Sequence, residues 1–414
     1  MVDRPGEPDS PYAWGRLCAA MLLSTVGGVG MWSVVVALPA VQAAFGAARA
    51  GATVPFTLTM IGFALGGVLA GRVADRFGIT ASVIGGAALL GAGYVAGGFA
   101  HSLWQFALAQ GALIGAGCSA IFAPVIADIS LWFARRRGIA VALAACGNYL
   151  AGVLWPPVVE HFIGTVGWRV TYLGIGVFCV VAMVPLSLVL LRPPPAQASG
   201  ATTAVSAALP GSPGLSPNAL MALLALAGVG CCVAMAMPQV HIVAYCGDLG
   251  YGPARGAEML SLMLGFGVVS RVASGFIADR LGGLRTLLLG STLQMVALLL
   301  YLGFNGLTSL FVISALFGLF QGGIVPSYAI IVREYFPAEE AGTRFGVVIM
   351  ATLFGMALGG WMSGAIFDLA GSYRAAFANG VLWNGLNLAI VLLLLVRRPR
   401  VLLAGYSRAL RRGG

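Results

Sequence analysis

One arginine stands in the middle of an apolar run: Arg271, in Ser261-Leu-Met-Leu-Gly-Phe-Gly-Val-Val-Ser-Arg271-Val-Ala-Ser-Gly-Phe-Ile-Ala. Inside a bilayer such a cation costs at least ~2.5–3.5 kcal/mol. A chain tolerates it when the charge faces a wet cavity, a buried partner or an anionic ligand. A guanidinium can hold a carboxylate through two parallel charge-assisted hydrogen bonds, so anion binding is the chemistry expected here. The competing reading is a structural arginine, satisfied by backbone carbonyls or snorkelling with help from Ser270 and Ser274. Other polar and aromatic groups at middle depth are candidates for the same cavity. Phe317, Gln321, Ile324 and Tyr328 share one helical face, and Asn148, Tyr149, Ser119, Phe122 and Trp32 lie at similar depth in other runs. Buried amides and hydroxyls need partners, which a neighbouring helix supplies as well as a substrate does. His241 and Glu258 are candidate proton carriers, His241 for its intrinsic pKa. Glu258 is 13 residues from Arg271, too far along a helix to pair with it. Asp128 is expected to pair with nearby arginines.

Catalytic and metal chemistry finds little support. There are three histidines (101, 161 and 241), and neither a His-Glu-x-x-His nor a P-loop pattern occurs. The seven cysteines fall almost entirely in apolar runs, without ligand spacing. No enzyme activity, metal or cofactor is expected.

The elements that must position these residues are set by composition. The chain has 414 residues, 59% of them hydrophobic and 9% charged, with mean hydropathy +0.95. So few charges could not cover a water-soluble protein of this length. Recurrent long apolar runs make it an all-α membrane protein. Twelve transmembrane helices are expected near 17–41, 52–72, 79–100, 104–132, 138–162, 168–191, 217–246, 255–278, 284–304, 308–335, 342–367 and 374–396. Residues 1–192 then form one six-helix half and 217–414 the other, with a basic tail. Residues 193–216, rich in Pro, Ala, Ser and Gly, read as a linker. No cleavable signal peptide is expected at the N-terminus.

All 23 basic residues are arginine. With both termini in the cytoplasm, 18 fall on the inside and four, at 49, 169, 255 and 374, on the outside. This bias accounts for the net charge of +10 without nucleic acid, and brings the tail to anionic headgroups of the lipid bilayer. Arginine in place of lysine, with no large soluble module, points to a bacterial cell inner membrane. A monomer is expected.

The halves repeat each other. Gly71-Arg-Val-Ala-Asp75-Arg76-Phe-Gly78 recurs as Gly275-Phe-Ile-Ala-Asp279-Arg280-Leu-Gly282, an offset of 204 residues (275 − 71). Trp132-Phe133 before Gly138 answers Tyr335-Phe336 before Gly342, and Gly167-Trp168-Arg169 answers Ser372-Tyr373-Arg374. Two parallel, pseudo-symmetric six-helix halves follow, related by an axis along the membrane normal. Asp75 and Asp279, beside arginines at inner helix ends, are expected to form charge pairs in one state and release them in another. Glycines four apart, such as Gly62 and Gly66 or Gly355 and Gly359, let helices approach closely.

The duplicated Gly-x-x-x-Asp-Arg-x-Gly motif resembles that of the major facilitator superfamily, across almost the whole chain. Its usual basic residues after the final glycine are replaced in the first copy by Ile79-Thr80. The resemblance implies a major facilitator fold and alternating access. The stretch Trp132-Phe133-Ala-Arg-Arg-Arg137-Gly138, continuing to Gly147, is similar to the loop and fifth helix of monocarboxylate transporters and their oxalate/formate relatives. In that family an arginine at the position of Arg271 binds the substrate carboxylate. The oxalate-type relatives add a lysine in the eleventh helix, where residues 345–359 of this chain hold no basic residue, so a small monocarboxylate such as lactate or pyruvate is expected. The animal-type members carry a first-helix lysine and an aspartate one turn before the arginine. Here that turn holds Gly267. Proton symport is the expected coupling. A dicarboxylate or oxalate/formate-type exchanger, a drug efflux transporter and a non-transporting membrane sensor remain alternatives.

Overall fold

Within a bilayer every backbone polar group must find its partner inside the protein, and a helix does this within one segment. The computed structural model describes residues 8–193 and 215–397, apart from the side chains of residues 137, 338 and 339. Most of the expected linker and the basic tail from 398 lie outside the described residues. Among those described there is no strand. Twelve helices are long and apolar enough to span: α1 (Pro11–Phe45), α2 (Arg49–Phe77), α3 (Ile79–Gly98), α4 (Leu103–Trp132), α5 (Gly138–Val166), α6 (Trp168–Leu190), α7 (Pro217–Asp248), α8 (Pro253–Leu281), α9 (Gly283–Gly303), α10 (Leu307–Tyr335), α11 (Glu340–Ala370) and α12 (Tyr373–Val396). An even number of crossings brings both described ends to one face, called here the terminal face. The opposite is the distal face.

Most spans run longer than the apolar pattern indicates. α1 starts at Pro11, where Ser10 caps the helix by accepting from the Ala13 amide at 3.3 Å. It then carries Arg16 inside the packed bundle. The guanidinium is fully buried, paired through Nε and Nη2 to both Asp128 oxygens at 2.8 Å, and stacked on Trp132 at 4.6 Å. Asp128 thus finds its arginine 112 residues away rather than in the adjoining basic loop. Two spans are broken by a turn, α1 at Gly28 and α10 at Gly322–Gly323, and α4 passes through a π-helical segment at Ala109–Gly115.

The sequence repeat has local physical causes. Gly78 and Gly282, which close the two motif copies, have φ of +87° and +79°, a region that only glycine enters without strain. Arg169 donates to the carbonyls of Gly98 and Ala100 at 2.9 and 2.7 Å, and Arg374 donates to that of Leu302 at 3.3 Å. Each arginine therefore satisfies open carbonyls at the C-terminus of the third span of its own half. Tyr94–Tyr172 join α3 to α6 at 5.2 Å, and Tyr301–Phe377 join α9 to α12 at 4.8 Å.

The halves meet tightly at the distal face. Gly360 of α11 packs on Phe56 and Gly364 on the backbone of Ala50, while Thr57 donates to the Ala357 carbonyl at 3.2 Å. At mid-depth α5 packs on α8, with Ser261 donating to the Val153 carbonyl and Leu264 seated over Gly152. Nearer the terminal face, Arg271 reaches the Ala145 carbonyl of the other half. Asp75, Arg76, Asp279 and Arg280 are exposed there, and neither aspartate lies within ion-pair distance of a base among the described residues. The contacts described between the halves concentrate at the distal face and at mid-depth.

Candidate functional site

Arg271 sits on the face of α8 that meets the other half. It is ten residues from Leu281 at the terminal end, about 15 Å along the helix axis. Its guanidinium lies over the ring of Tyr149 on α5, 4.3 Å from the centroid. Nη1 reaches the Ala145 carbonyl at 3.5 Å, the outer limit for a hydrogen bond, and Nε is buried without a partner. No acidic side chain lies within 4.0 Å of it among the described residues. The charge is partly buried. It is therefore a positively charged, imperfectly satisfied group between the halves, oriented by an aromatic platform.

Gly267 explains the missing acid. A Cβ there would stand 2.5 Å from Cε1 of Tyr149, so the ring fills the space one turn before Arg271 that a side chain would need. Distal to this pair, Trp32 donates from Nε1 to the Asn148 carbonyl at 3.2 Å, and its ring lies against Gly152. Tyr149, Asn148 and Trp32 thus form one connected wall of the N-terminal half. Phe122 and Asn148 also line a small cavity beside Ser24 and Phe63, and Phe122 packs on Phe63 at 5.9 Å.

The other sequence candidates are placed elsewhere. Ser119 donates to the Ala116 carbonyl of its own helix at 2.7 Å and abuts Gly66, within the α2–α4 contact. Gln321 is fully buried, accepts from Gln239 of α7 at 2.8 Å, and leaves Nε2 without a partner. Tyr328 bonds to Asn387 at 2.9 Å and to the Cys231 sulfur at 3.6 Å, inside the C-terminal half. His241 is fully buried, with Nδ1 3.0 Å from the Tyr373 hydroxyl and Nε2 2.9 Å from the Gly360 carbonyl, so it ties α7 to α11 and α12. Glu258 pairs with Arg255 at 2.8 Å and borders a side groove of about 440 Å³ between α5 and α8.

One charged cluster was invisible in the sequence. Arg49, which opens α2, donates from Nη2 to both oxygens of Asp248 on α7 at 2.9 Å. The amides of Arg49 and Ala50 donate to Asp368 of α11 at 2.9 and 2.8 Å. These partners lie 199 and about 320 residues away, beyond any spacing argument.

Comparison with known proteins agrees with this architecture. The sequence model of the Major Facilitator Superfamily matches residues 20–309 and 247–408. The chain is similar to monocarboxylate transporter 13 of Rattus norvegicus, 28% identical over 391 residues that cover 91% of this chain and 87% of the relative. It is also similar to monocarboxylate transporter 13 of Bos taurus, 29% identical over 75% of this chain and 72% of the relative. Monocarboxylate transporter 11 of Homo sapiens is 27% identical over 91% and 82%. In fold, the chain is similar to a bacterial homolog of the human lysosomal transporter Spinster, in an inward-facing and occupied conformation. The TM-score is 0.67 at 16% identity, over 96% of this chain and 98% of that one. These relatives and this fold are those of transporters rather than enzymes. Twelve spans in two repeated halves, matched by the family model over nearly all of their length, make this chain a member of the Major Facilitator Superfamily.

Proposed function

We propose that this transporter carries small monocarboxylate anions, lactate- or pyruvate-like, and that Arg271 binds their carboxylate. The observation that carries the reading is a partly buried guanidinium between the halves, stacked on Tyr149, with an unpartnered Nε and no acid within ion-pair distance among the described residues. A carboxylate would complete its hydrogen bonding and neutralise it. Beyond Arg344, which pairs with Glu340 at the terminal end, α11 brings no second base, so one negative charge is matched and two are not. The names of the relatives support the same class of substrate.

In this reading Tyr149 orients the guanidinium, and Asn148, Trp32 and Phe122 form the wall on the N-terminal side. Gln321 offers a free buried N–H from the C-terminal half. Ser119 and Tyr328, bonded within their own halves, hold helices together. The terminal face is cytoplasmic on the arginine bias, and the membrane is a bacterial inner membrane on the replacement of lysine by arginine. The substrate enters with a proton. His241, in the seam between α7, α11 and α12, and Glu258, paired with Arg255, are the candidate carriers. The halves rock about the central site as one monomer.

The test is uptake of labelled pyruvate into sealed proteoliposomes with a proton gradient. Arg271→Ala is expected to lower the initial rate about 100-fold, the equivalent of a charge-assisted hydrogen-bonded contact of about 3 kcal/mol. Wild-type flux in Arg271→Ala would sink the assignment. Counterflow indifferent to the gradient would replace symport by exchange.

A further inference from the structure

The Arg49 cluster is built from two sides. Every donor belongs to the N-terminal half: the guanidinium of Arg49 and the first amides of α2. Every acceptor is a carboxylate of the C-terminal half, Asp248 or Asp368. The residue before α2 is Ala48, which cannot cap the helix, so Asp368 reaches across and does so. The aromatic faces over which the guanidinium lies, Phe367 and Tyr373, also come from the C-terminal half. When the distal side opens, the donors must part from all of these.

The donors stay well disposed toward a carboxylate. Arg49 is 6% exposed, and its Nε has no partner even in the closed arrangement. Its side chain lines a distal cavity of about 470 Å³ together with Gln42, Ala43, Gly46 and Asp248. A buried cation with an open donor, beside a helix N-terminus and reachable from the surface, attracts anions.

We propose that Arg49 and the N-terminus of α2 form a second carboxylate site at the distal face, filled in this conformation by Asp248 and Asp368 and taken over by an incoming monocarboxylate as the distal side opens. The substrate then meets Arg49 before it meets Arg271, and it loosens the closure by displacing the acids that make it. The inference rests on the monocarboxylate reading for the identity of the anion.

The experiment separates the two sites. The full chain carries Cys18→Ser, Ala43→Cys and Arg271→Ala and is reconstituted in liposomes. Of the native cysteines only Cys18 is exposed, and Ala43 is exposed at the edge of the cavity. The rate at which a membrane-impermeant maleimide labels the Ala43→Cys thiol is measured with pyruvate or with uncharged pyruvamide. Pyruvate is expected to slow labelling at least threefold and pyruvamide not at all. Adding Arg49→Gln should remove the protection. Adding Asp248→Asn, which weakens the internal competitor, should lower the half-protecting pyruvate concentration at least threefold, and this arm stands even where Arg49→Gln fails to fold. Protection that requires Arg271, or that survives Arg49→Gln in folded protein, overturns the proposal. Pyruvate flux through the wild type without any protection overturns this site and leaves the proposed function standing. Protection without flux of any monocarboxylate supports the site and removes the function.

Discussion

Position 271 has a counterpart in the other half at position 67 (271 − 204), and the two could hardly differ more. On α8 the position carries the arginine that lies over Tyr149. On α2 it carries Gly67, where a Cβ would meet only the Cβ of Ser119, at 3.9 Å. Around these points the repeat is faithful: the same positive-φ glycines end the motifs, and equivalent arginines bind the ends of equivalent helices. Duplication has preserved what any half needs in order to fold and hinge. It has left the charge that proposed substrate binding needs to one half alone.

The halves also solve their internal polar problem differently, which gives the largest expected effect. The N-terminal half buries the ion pair Arg16–Asp128. In the register that pairs Trp132 with Tyr335 (335 − 132 = 203) the residue matching Asp128 is Ile331, and the C-terminal half relies instead on amides, with Gln294 donating to Asn384 at 3.2 Å and Asn387 to Tyr328 at 2.9 Å. Arg16→Ala or Asp128→Ala should each cost about 3–5 kcal/mol, read as a lowered thermal midpoint in detergent, because one charge is left buried alone. The double variant Arg16→Met with Asp128→Leu should recover most of it. Asn387→Leu should cost at most about 1.7 kcal/mol, the upper range for neutral contacts in membranes. Equal costs for the single variants of the two networks would erase the distinction.

The asymmetry at 271 and 67 can be attacked directly. Adding Gly67→Arg to Arg271→Ala should leave pyruvate uptake still about 100-fold below wild type. Recovery of flux would mean that position within the repeat, rather than the Tyr149 platform, makes the site. A smaller effect tests the symmetric part. Arg169→Gln and Arg374→Gln should destabilise the protein by similar amounts, about 0.5–1 kcal/mol each, since both cap helix ends. A clear inequality in thermal midpoint would show that only one of these contacts matters.

The smallest effect lies outside the membrane. Asp9 accepts from the amides of Ala134 and Arg135 at 3.1 and 3.0 Å. Burial raises its pKa, but these amides, that of Arg136 and the charge of Arg135 outweigh it and hold the carboxyl below its usual value. A lowered folded pKa means that the stabilisation is complete above about pH 4 and fades as the pH falls through the folded value. The difference in thermal midpoint between wild type and Asp9→Asn should therefore close on acidification below about pH 4. A constant gap would show that the carboxylate charge plays no part.

What the sequence made legible follows from how strongly physics constrains it. A bilayer demands unbroken apolar runs, so the twelve spans were readable to within several residues. The cost of Arg271 marked it, and its neighbour Tyr149 was named beside it. Helical spacing grouped Gln321 with Tyr328 but could not tell whether their face meets a cavity or other helices of the same half. α10 is moreover interrupted between them. Arg16, one residue before the first expected span, counts in the sequence only among the inside arginines, because its partner is 112 residues distant. Arg49 read as one of four outside charges for the same reason, since contacts between halves leave no periodic trace.

The interruption of α10 has a mechanical meaning. Gly322 lies on the Gly267 carbonyl, Gly318 on the Met263 carbonyl and Gly323 on Ser274, so main chain rests on main chain at the first two of these contacts and on a small serine side chain at the third. No long, flexible side chain is among these contacts to absorb displacement. α8 and α10 are thus braced against each other at the depth of Arg271, on both sides of the break in α10.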